Sequence, residues 1–89
     1  MFDVKYKNVF KKDVQRMQKR GKNLDKLKTL ITLLVQDQAL PLQCRDHLLV
    51  GNYALHRECH IEPDWLLIYK KDLEMIVLER TGSHADLFG

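Results

Sequence analysis

Histidine is the side chain of this sequence best suited to acid–base chemistry, and the chain has four. Three of them, His47, His60 and His84, each lie near a glycine or proline that can end a strand, and Asp64 follows His60 across a proline. Imidazole gains and loses a proton close to neutral pH, so two such groups can act as base and acid. If the strand ends meet, these residues predict one reactive site. Taken alone, the stretch from His60 to Asp64 is also compatible with a polar β-turn.

Cleavage of RNA is the reaction that this set of residues fits. It needs a base for the 2′-hydroxyl and an acid for the leaving oxygen, and it needs no metal, so no cofactor is expected. Arg80 could hold the scissile phosphate, or it could form only a surface ion pair with Glu79. Trp65 and Phe88 could stack on unpaired bases, although a tryptophan at a strand start more often packs in the core.

A metal site is an alternative use of the same side chains. His60 and Asp64, joined by His47 or His84, could bind Zn²⁺ or another divalent ion, but the spacing His-x-x-x-Asp is a weak signal. The sequence contains no phosphate-binding glycine loop, no nucleophile elbow and no HExxH motif. His56 is interpreted as an ordinary surface histidine.

Charge is divided unevenly along the chain. Residues 1–29 carry ten Lys/Arg and three Asp, a net charge of +7, whereas residues 30–89 carry five Lys/Arg and nine Asp/Glu, a net charge of −4. A basic half on a small domain indicates a polyanionic partner such as RNA, although a solvated helix face has the same composition. The candidate RNA-binding cations of the first predicted helix are Lys11, Lys12, Arg16, Lys19 and Arg20.

The length of 89 residues predicts one domain over residues 1–89 with a modest core. No apolar run is long enough to span a membrane, and the first residues lack the order of a signal peptide, so we expect a cytoplasmic protein. Cys44 and Cys59 are too few for a disulfide scaffold. We expect both thiols to be reduced and Cys59 to pack in a strand.

The first part of the chain predicts a strand and a helical hairpin. Residues 2–6 alternate between apolar and polar, as in a strand with one buried face. Asn8 can cap a helix that ends at Gly21, and a second apolar stripe runs from Asn23 to Leu34. The short connection between the two helices favours an antiparallel hairpin.

The second part of the chain predicts strands. After a loop at residues 40–42 and a short strand or turn at residues 45–51, we expect strands at 53–62, 65–69 and 73–80, with a tail at 83–89. Short connections favour antiparallel pairing. One helical hairpin covers one face of such a sheet, so the other face is expected to be partly open to a long ligand.

Five segments of the sequence resemble the YafQ branch of the RelE/ParE toxin superfamily, the toxins of bacterial type II toxin–antitoxin pairs. They are LK with LL in the second predicted helix (27–34), LPL (40–42), DHxLxG (46–51), RECHIEPDW with the apolar run after it (57–69), and ERTGSHxxLF (79–88). The resemblance implies a RelE-like α+β fold, β-α-α-β-β-β, with a helical hairpin packed on a small, twisted, mainly antiparallel sheet.

The resemblance also implies a ribosome-dependent endoribonuclease that cuts mRNA in the decoding site. Its implied partners are the 70S ribosome, with its mRNA and rRNA, and a cognate antitoxin. Some members of the superfamily poison gyrase instead, so a non-catalytic toxin that binds gyrase or the ribosome is the alternative. The implied site residues are catalytic His47, His60, Asp64 and His84, with Arg80 on phosphate and Trp65 and Phe88 around the bases. His84 is assigned as the acid, and His60 or Asp64 as the base.

Overall fold

A computed structural model describes residues 1–89. Its strands and helices follow one another as β1 (Asp3–Tyr6), α1 (Asn8–Lys19), α2 (Leu24–Val35), β2 (His47–Leu48), β3 (Arg57–Glu62), β4 (Trp65–Lys71), β5 (Met75–Gly82) and α3 (His84–Phe88). Two 3₁₀ turns, Leu42–Cys44 and Gly51–Tyr53, flank β2.

The five strands form one sheet in the order β1-β5-β4-β3-β2. β1 pairs with β5 in parallel, and the other three pairings are antiparallel. The predicted α+β fold with a mainly antiparallel sheet is therefore confirmed. The order places β4, the most apolar strand, in the middle of the sheet, where both of its faces are covered.

The main core lies between the helical hairpin and one face of the sheet. Phe10 and Met17 of α1 and Leu27, Leu30 and Leu34 of α2 form the apolar stripes that the helical spacing predicts, and all five are buried. They pack against the inward-facing side chains of the sheet, which include Cys59, Trp65, Leu67, Tyr69, Ile76 and Leu78. Burial of such side chains is the main contribution to the stability of the fold.

The second face of the sheet is only partly covered. Leu66 and Ile68 of β4 are fully buried there because Leu87 of α3 and, more loosely, Leu49 and Tyr53 pack over them. We call this whole second face the open face, and most of its other side chains are polar or charged. No helix of the structure has the length and apolar character needed to span a membrane.

Several predicted boundaries are wrong, among them that of the last strand, which was expected at 73–80 and lies at Met75–Gly82. β3 begins at Arg57 instead of residue 53, because residues 51–53 form a 3₁₀ turn and Leu55 has a positive φ of 69°. The N-cap of α1 is Lys7, and Asn8 is already helical. The expected C-terminal tail is the helix α3, which begins with a capping box between Ser83 and Asp86.

Candidate active site

Strand register brings the histidines of β2 and β3 to the open face. His60 is paired with Leu66, and Glu58 is paired with Ile68, so both share the face on which these β4 residues lie. His47 is paired with Glu58 and therefore points the same way. α3 starts at the same end of the sheet and supplies His84.

The three predicted histidines form a row. The ring centroids of His47 and His60 are 6.4 Å apart, and those of His60 and His84 are 5.8 Å apart. The ring of Phe88 continues the row at 6.3 Å from His84, and its side chain is half exposed. The structure thus places together His47, His60, His84 and Phe88, as the sequence analysis expected.

Asp64 binds His84 through two hydrogen bonds. Its Oδ1 accepts one from the ring Nδ1 at 2.7 Å and one from the backbone N–H at 2.9 Å. These bonds hold the pKa of the Asp64 carboxyl below its ordinary value, and the bond from the backbone has the larger effect. Because Nδ1 donates to the carboxylate, Nε2 is the ring atom of His84 that is left for another group.

Glu58 is a member of the site that the sequence analysis missed. Its carboxylate is nearly buried, and Oε2 lies 3.2 Å from Nε2 of His47 and 3.9 Å from Nε2 of His60. A carboxylate between two imidazoles orients both rings and places a negative charge beside them. The alternation along β3 already put Glu58 on the same face as His60, and this was the signal that could have found it.

Backbone carbonyls hold the other ring nitrogens. Nδ1 of His47 donates to the carbonyl of Arg45 at 2.6 Å, and Nδ1 of His60 donates to the carbonyl of Cys44 at 3.2 Å. A carbonyl only accepts, so Nδ1 carries the proton in both rings and Nε2 is the atom directed into the site. The segment between the Leu42–Cys44 turn and β2 therefore orients two of the three histidines.

A polar cleft of about 480 Å³ opens beside His60 and His84. Arg45 lines this cleft with a left-handed backbone (φ 49°, ψ 46°), and its guanidinium has no carboxylate within 4 Å. It is a cation that can meet an anion in the cleft, and the sequence analysis did not select it. The remaining lining residues are Gln43, Ile61, Glu62 and Pro63.

The prediction that Trp65 contacts bases is wrong in this structure. Its side chain is 0% exposed in the main core, and its indole N–H donates to the hydroxyl of Thr81 at 2.9 Å. The Thr81 hydroxyl in turn donates to the carbonyl of Leu66 at 2.7 Å. The indole therefore has no face open for stacking, and its function here is to join β4 to β5.

Arg80 lies on the open face but is bound to the buried carboxylate of Asp13 on α1. Its Nε donates to Asp13 at 2.6 Å and its Nη2 at 3.2 Å, which raises the pKa of the guanidinium. Asp13 also accepts a hydrogen bond from the backbone N–H of Thr81. Thr81 lies in the part of β5 that extends past its pairing with β1. The alternative interpretation, in which Arg80 forms only a surface ion pair with Glu79, is wrong. Glu79 instead lies 3.2 Å from Nε2 of His56.

The basic residues of α1 are of two kinds. Arg20 forms a two-pronged ion pair with Asp86 of α3 at 2.6 and 2.9 Å, and Arg16 lies 3.7 Å from the same carboxylate. These two cations fasten α3 to α1, so the prediction that they are free to bind RNA is not supported. The exposed lysines without a carboxylate partner on this helix are Lys11, Lys12 and Lys19.

Neither cysteine is part of the site. Cys44 and Cys59 are free and buried, as expected for reduced thiols, and burial raises the pKa of both. For metals, no group of three or more His, Cys, Asp or Glu side chains is arranged to hold an ion.

A mainly antiparallel sheet with a helical hairpin on one face and a histidine row on the other is the architecture that the resemblance to RelE-like toxins implies. The comparisons with known proteins agree. Residues 2–89 match the family described as the bacterial toxin of a type II toxin–antitoxin system, YafQ. The chain belongs to this YafQ family, and its enzyme class is that of an endoribonuclease.

Three relatives illustrate the similarity. The mRNA interferase toxin YafQ of Escherichia coli K12 is 47% identical over 88 residues, which are 98% of this chain and 96% of that protein. The toxin chain in the crystal structure of the E. coli DinJ–YafQ toxin–antitoxin complex has a TM-score of 0.92 and 46% identity, covering 99% and 98% of the two chains. A metal-bound toxin from Helicobacter pylori has a TM-score of 0.91 and 37% identity, covering 99% and 100%.

Proposed function

We propose that this chain is a ribosome-dependent endoribonuclease that cuts mRNA by acid–base catalysis without a metal, and that it thereby inhibits translation. The observation that carries the proposal is the convergence of His47, His60 and His84 beside one open cleft. Such a site has several groups able to move protons near neutral pH, which is what cleavage through the 2′-hydroxyl requires.

His84 is proposed as the general acid for the leaving 5′-oxygen. Its position is supported by Asp64, which fixes Nδ1 and leaves Nε2 free. An acid must start the step protonated, and the Asp64 carboxylate places a negative charge beside this ring. Asp64 itself is engaged with His84, which favours His60 over Asp64 as the base.

His60 is proposed as the general base for the 2′-hydroxyl. Its Nδ1 donates to the carbonyl of Cys44, so in the neutral ring Nε2 has a free lone pair. The Glu58 carboxylate lies 3.9 Å from this Nε2. His47 is proposed to hold Glu58 in place and to add positive charge beside the scissile phosphate.

The cation on the scissile phosphate is proposed to be Arg45, with Arg80 in support. Arg45 lines the cleft and has no acidic partner, so its donors are available to the extra negative charge of the transition state. Arg80 already donates through Nε and Nη2 to Asp13, which leaves a smaller part of its guanidinium for RNA. Phe88 is proposed to contact a base.

The ribosome and an antitoxin are the proposed partners, and the cytoplasm is the proposed compartment. Lys11, Lys12 and Lys19 are exposed cations of α1 that are suited to phosphates of ribosomal RNA. An apolar groove of about 520 Å³ between α1 and α2 is edged by Lys11 and Lys28. Its apolar floor and basic edges suit an amphipathic acidic segment of an antitoxin.

The test is cleavage in a purified translation system. Wild-type protein is expected to cut a translated messenger only when ribosomes are present. On pre-formed ribosome complexes the cleavage should persist in 1,10-phenanthroline, which chelates Zn²⁺ and other transition metals but leaves the Mg²⁺ of the ribosome in place. A 2′-deoxy substitution at the mapped cut is expected to abolish cleavage. Cuts that persist at the 2′-deoxy position would contradict a mechanism that uses the 2′-hydroxyl as nucleophile.

Two other functions make different predictions in the same experiment. A toxin that only binds gyrase or the ribosome leaves messages intact, and it stalls replication in the gyrase case. A metal-dependent hydrolase, which the metal-bound H. pylori toxin brings into consideration, loses activity on chelation and recovers it with added Zn²⁺.

A further inference from the structure

A second cationic cluster lies on the open face, away from the histidine row. Lys5 of β1 is paired with Val77 of β5, and Val77 is paired with Lys70 of β4, so the two lysines flank one valine. Together with Lys7 and His56 they surround a hollow of about 260 Å³. We call the set Lys5, Lys7 and Lys70 the lysine cluster.

The charge of the lysine cluster is not neutralised within the protein. None of its three ammonium groups has a carboxylate within 4 Å, whereas seven other cations of the chain are ion-paired to aspartate or glutamate. The one acidic residue of the hollow, Glu79, lies 3.2 Å from Nε2 of His56. Three lysines facing one carboxylate leave the hollow with an excess of positive charge.

The lysine cluster is on the same face of the sheet as the histidine row. Leu66, Ile68 and Lys70 alternate along β4 on the open face, and Leu66 is the partner of His60. Lys70 is four residue steps along β4 from Leu66, so the two positions are about 13 Å apart at the rise of an extended chain. A single RNA strand that crosses the face can therefore reach both places.

Aromatic rings occupy the path between the two places. From His84 the ring of Phe88 is 6.3 Å away, Tyr53 is 5.7 Å from Phe88, and His56 is 6.1 Å from Tyr53. His56 lines the hollow of the lysine cluster. A line of rings that ends on free lysines is the arrangement by which proteins bind single-stranded nucleic acid, with bases on the rings and phosphates on the cations.

We infer that the lysine cluster is a second RNA subsite, which holds backbone phosphates of the same strand that is cut at the histidine row. The inference rests on the proposed function, because it takes RNA as the substrate. The subsite contributes affinity and fixes the path of the strand across the open face, and it has no part in proton transfer. Its contribution is electrostatic, so it is independent of base sequence and decreases with salt.

Binding of uncleavable RNA tests the inference. The probe is single-stranded, 2′-O-methylated RNA in a length series of roughly 2 to 8 nucleotides, titrated into the isolated wild-type protein at several salt concentrations. We expect affinity to rise once the strand is long enough to reach the lysine cluster. In the triple variant Lys5→Ala, Lys7→Ala, Lys70→Ala this rise should disappear, and the slope of log K against log salt should become shallower by about 2.

Two control proteins make the result specific. The triple variant with arginine at positions 5, 7 and 70 keeps the charge and should keep the rise with length. Lys71→Ala removes the neighbouring lysine of β4, which points to the other face and binds Asp37 at 2.8 Å, and it should also keep the rise. An unchanged length dependence in the alanine variant, or an equal loss in Lys71→Ala, overturns the inference.

The source of the RNA is decided by a parallel measurement on ribosomes. If the alanine variant binds the oligonucleotides normally but binds 70S ribosomes less tightly, the cluster contacts ribosomal RNA and the inference is overturned. Because the probe cannot be cut, these outcomes do not depend on cleavage. Failure of the proposed function is seen separately, as a messenger that wild-type protein leaves intact on the ribosome.

Discussion

A single oxygen of Asp64 holds His84 in two places. Oδ1 accepts from the ring Nδ1 at 2.7 Å and from the backbone N–H at 2.9 Å, so the first residue of α3 is fixed both by its main chain and by its side chain. Both residues remain more than half exposed. The pair therefore orients one histidine toward the cleft without removing it from solvent.

His84→Ala is expected to lower the rate of messenger cleavage by roughly 10²–10⁴-fold, because it removes the proposed acid. Asp64→Asn should reduce the rate less, since the amide oxygen can still accept from Nδ1 while the negative charge beside the ring is lost. Cleavage assays on ribosome complexes measure both effects, and wild-type rates in His84→Ala would refute the acid role.

Glu58→Gln is expected to reduce cleavage with little change in fold. The amide keeps the size of the side chain but removes the charge near Nε2 of His47 and His60. The rate should fall by less than the 10²–10⁴-fold of a lost proton donor, and mostly in kcat. Thermal unfolding provides the control, because a large decrease in Tm would mean that Glu58 is needed mainly for folding.

Arg45 and Arg80 are expected to differ in what their loss affects. Arg45→Ala should lower cleavage and leave the free energy of unfolding unchanged, since its side chain has no acidic partner in the protein. Arg80→Ala leaves the buried carboxylate of Asp13 without its main partner and should cost about 3 kcal/mol of stability. Denaturant unfolding of the two variants separates the roles, and equal stabilities would contradict the structural role of Arg80.

Trp65→Phe is expected to destabilise the protein without changing its affinity for RNA. The substitution removes the buried hydrogen bond to Thr81 and part of the packing, at a cost of about 1–2 kcal/mol. Unfolding experiments and oligonucleotide titrations measure the two quantities. A marked loss of RNA affinity in a variant that is still folded would restore Trp65 as a contact residue.

Asp86 is expected to make the stability of the protein sensitive to acid. Arg20 holds the pKa of this carboxyl well below its ordinary value, so its stabilisation is present above the unfolded pKa of about 3.9 and is lost as pH falls toward the folded value. Asp86→Asn should therefore be less stable than wild type at pH 7, by about 1–2 kcal/mol, and nearly equal to it at low pH.

Unfolding curves from pH 7 down to pH 2 test the role of Asp86, with Asp3→Asn as the control. The side chain of Asp3 makes no ion pair or hydrogen bond, so this variant should follow wild type at every pH. A constant difference between wild type and Asp86→Asn across the range would show that the ion pair with Arg20 does not determine the pKa.

The sequence by itself determined the order of the elements as far as β5 and the identity of most site residues. Apolar spacing predicted both helices of the hairpin, and the run from Trp65 to Tyr69 predicted a strand; β4 confirms it and is buried on both faces. These properties depend on neighbours along the chain, so periodicity reports them. His47, His60 and His84 were selected because their chemistry is rare and each stands near a strand end.

Only the tertiary structure decided which polar groups meet. Glu58 joins the histidines through strand register, and Arg80 is bound by Asp13, a residue 67 positions away. A left-handed backbone puts Arg45 at the cleft, and the indole of Trp65 is closed in by Thr81. Such contacts depend on how the sheet and helices pack. Packing brings together residues that are far apart in the sequence, and no periodic pattern in the sequence marks which of them will meet.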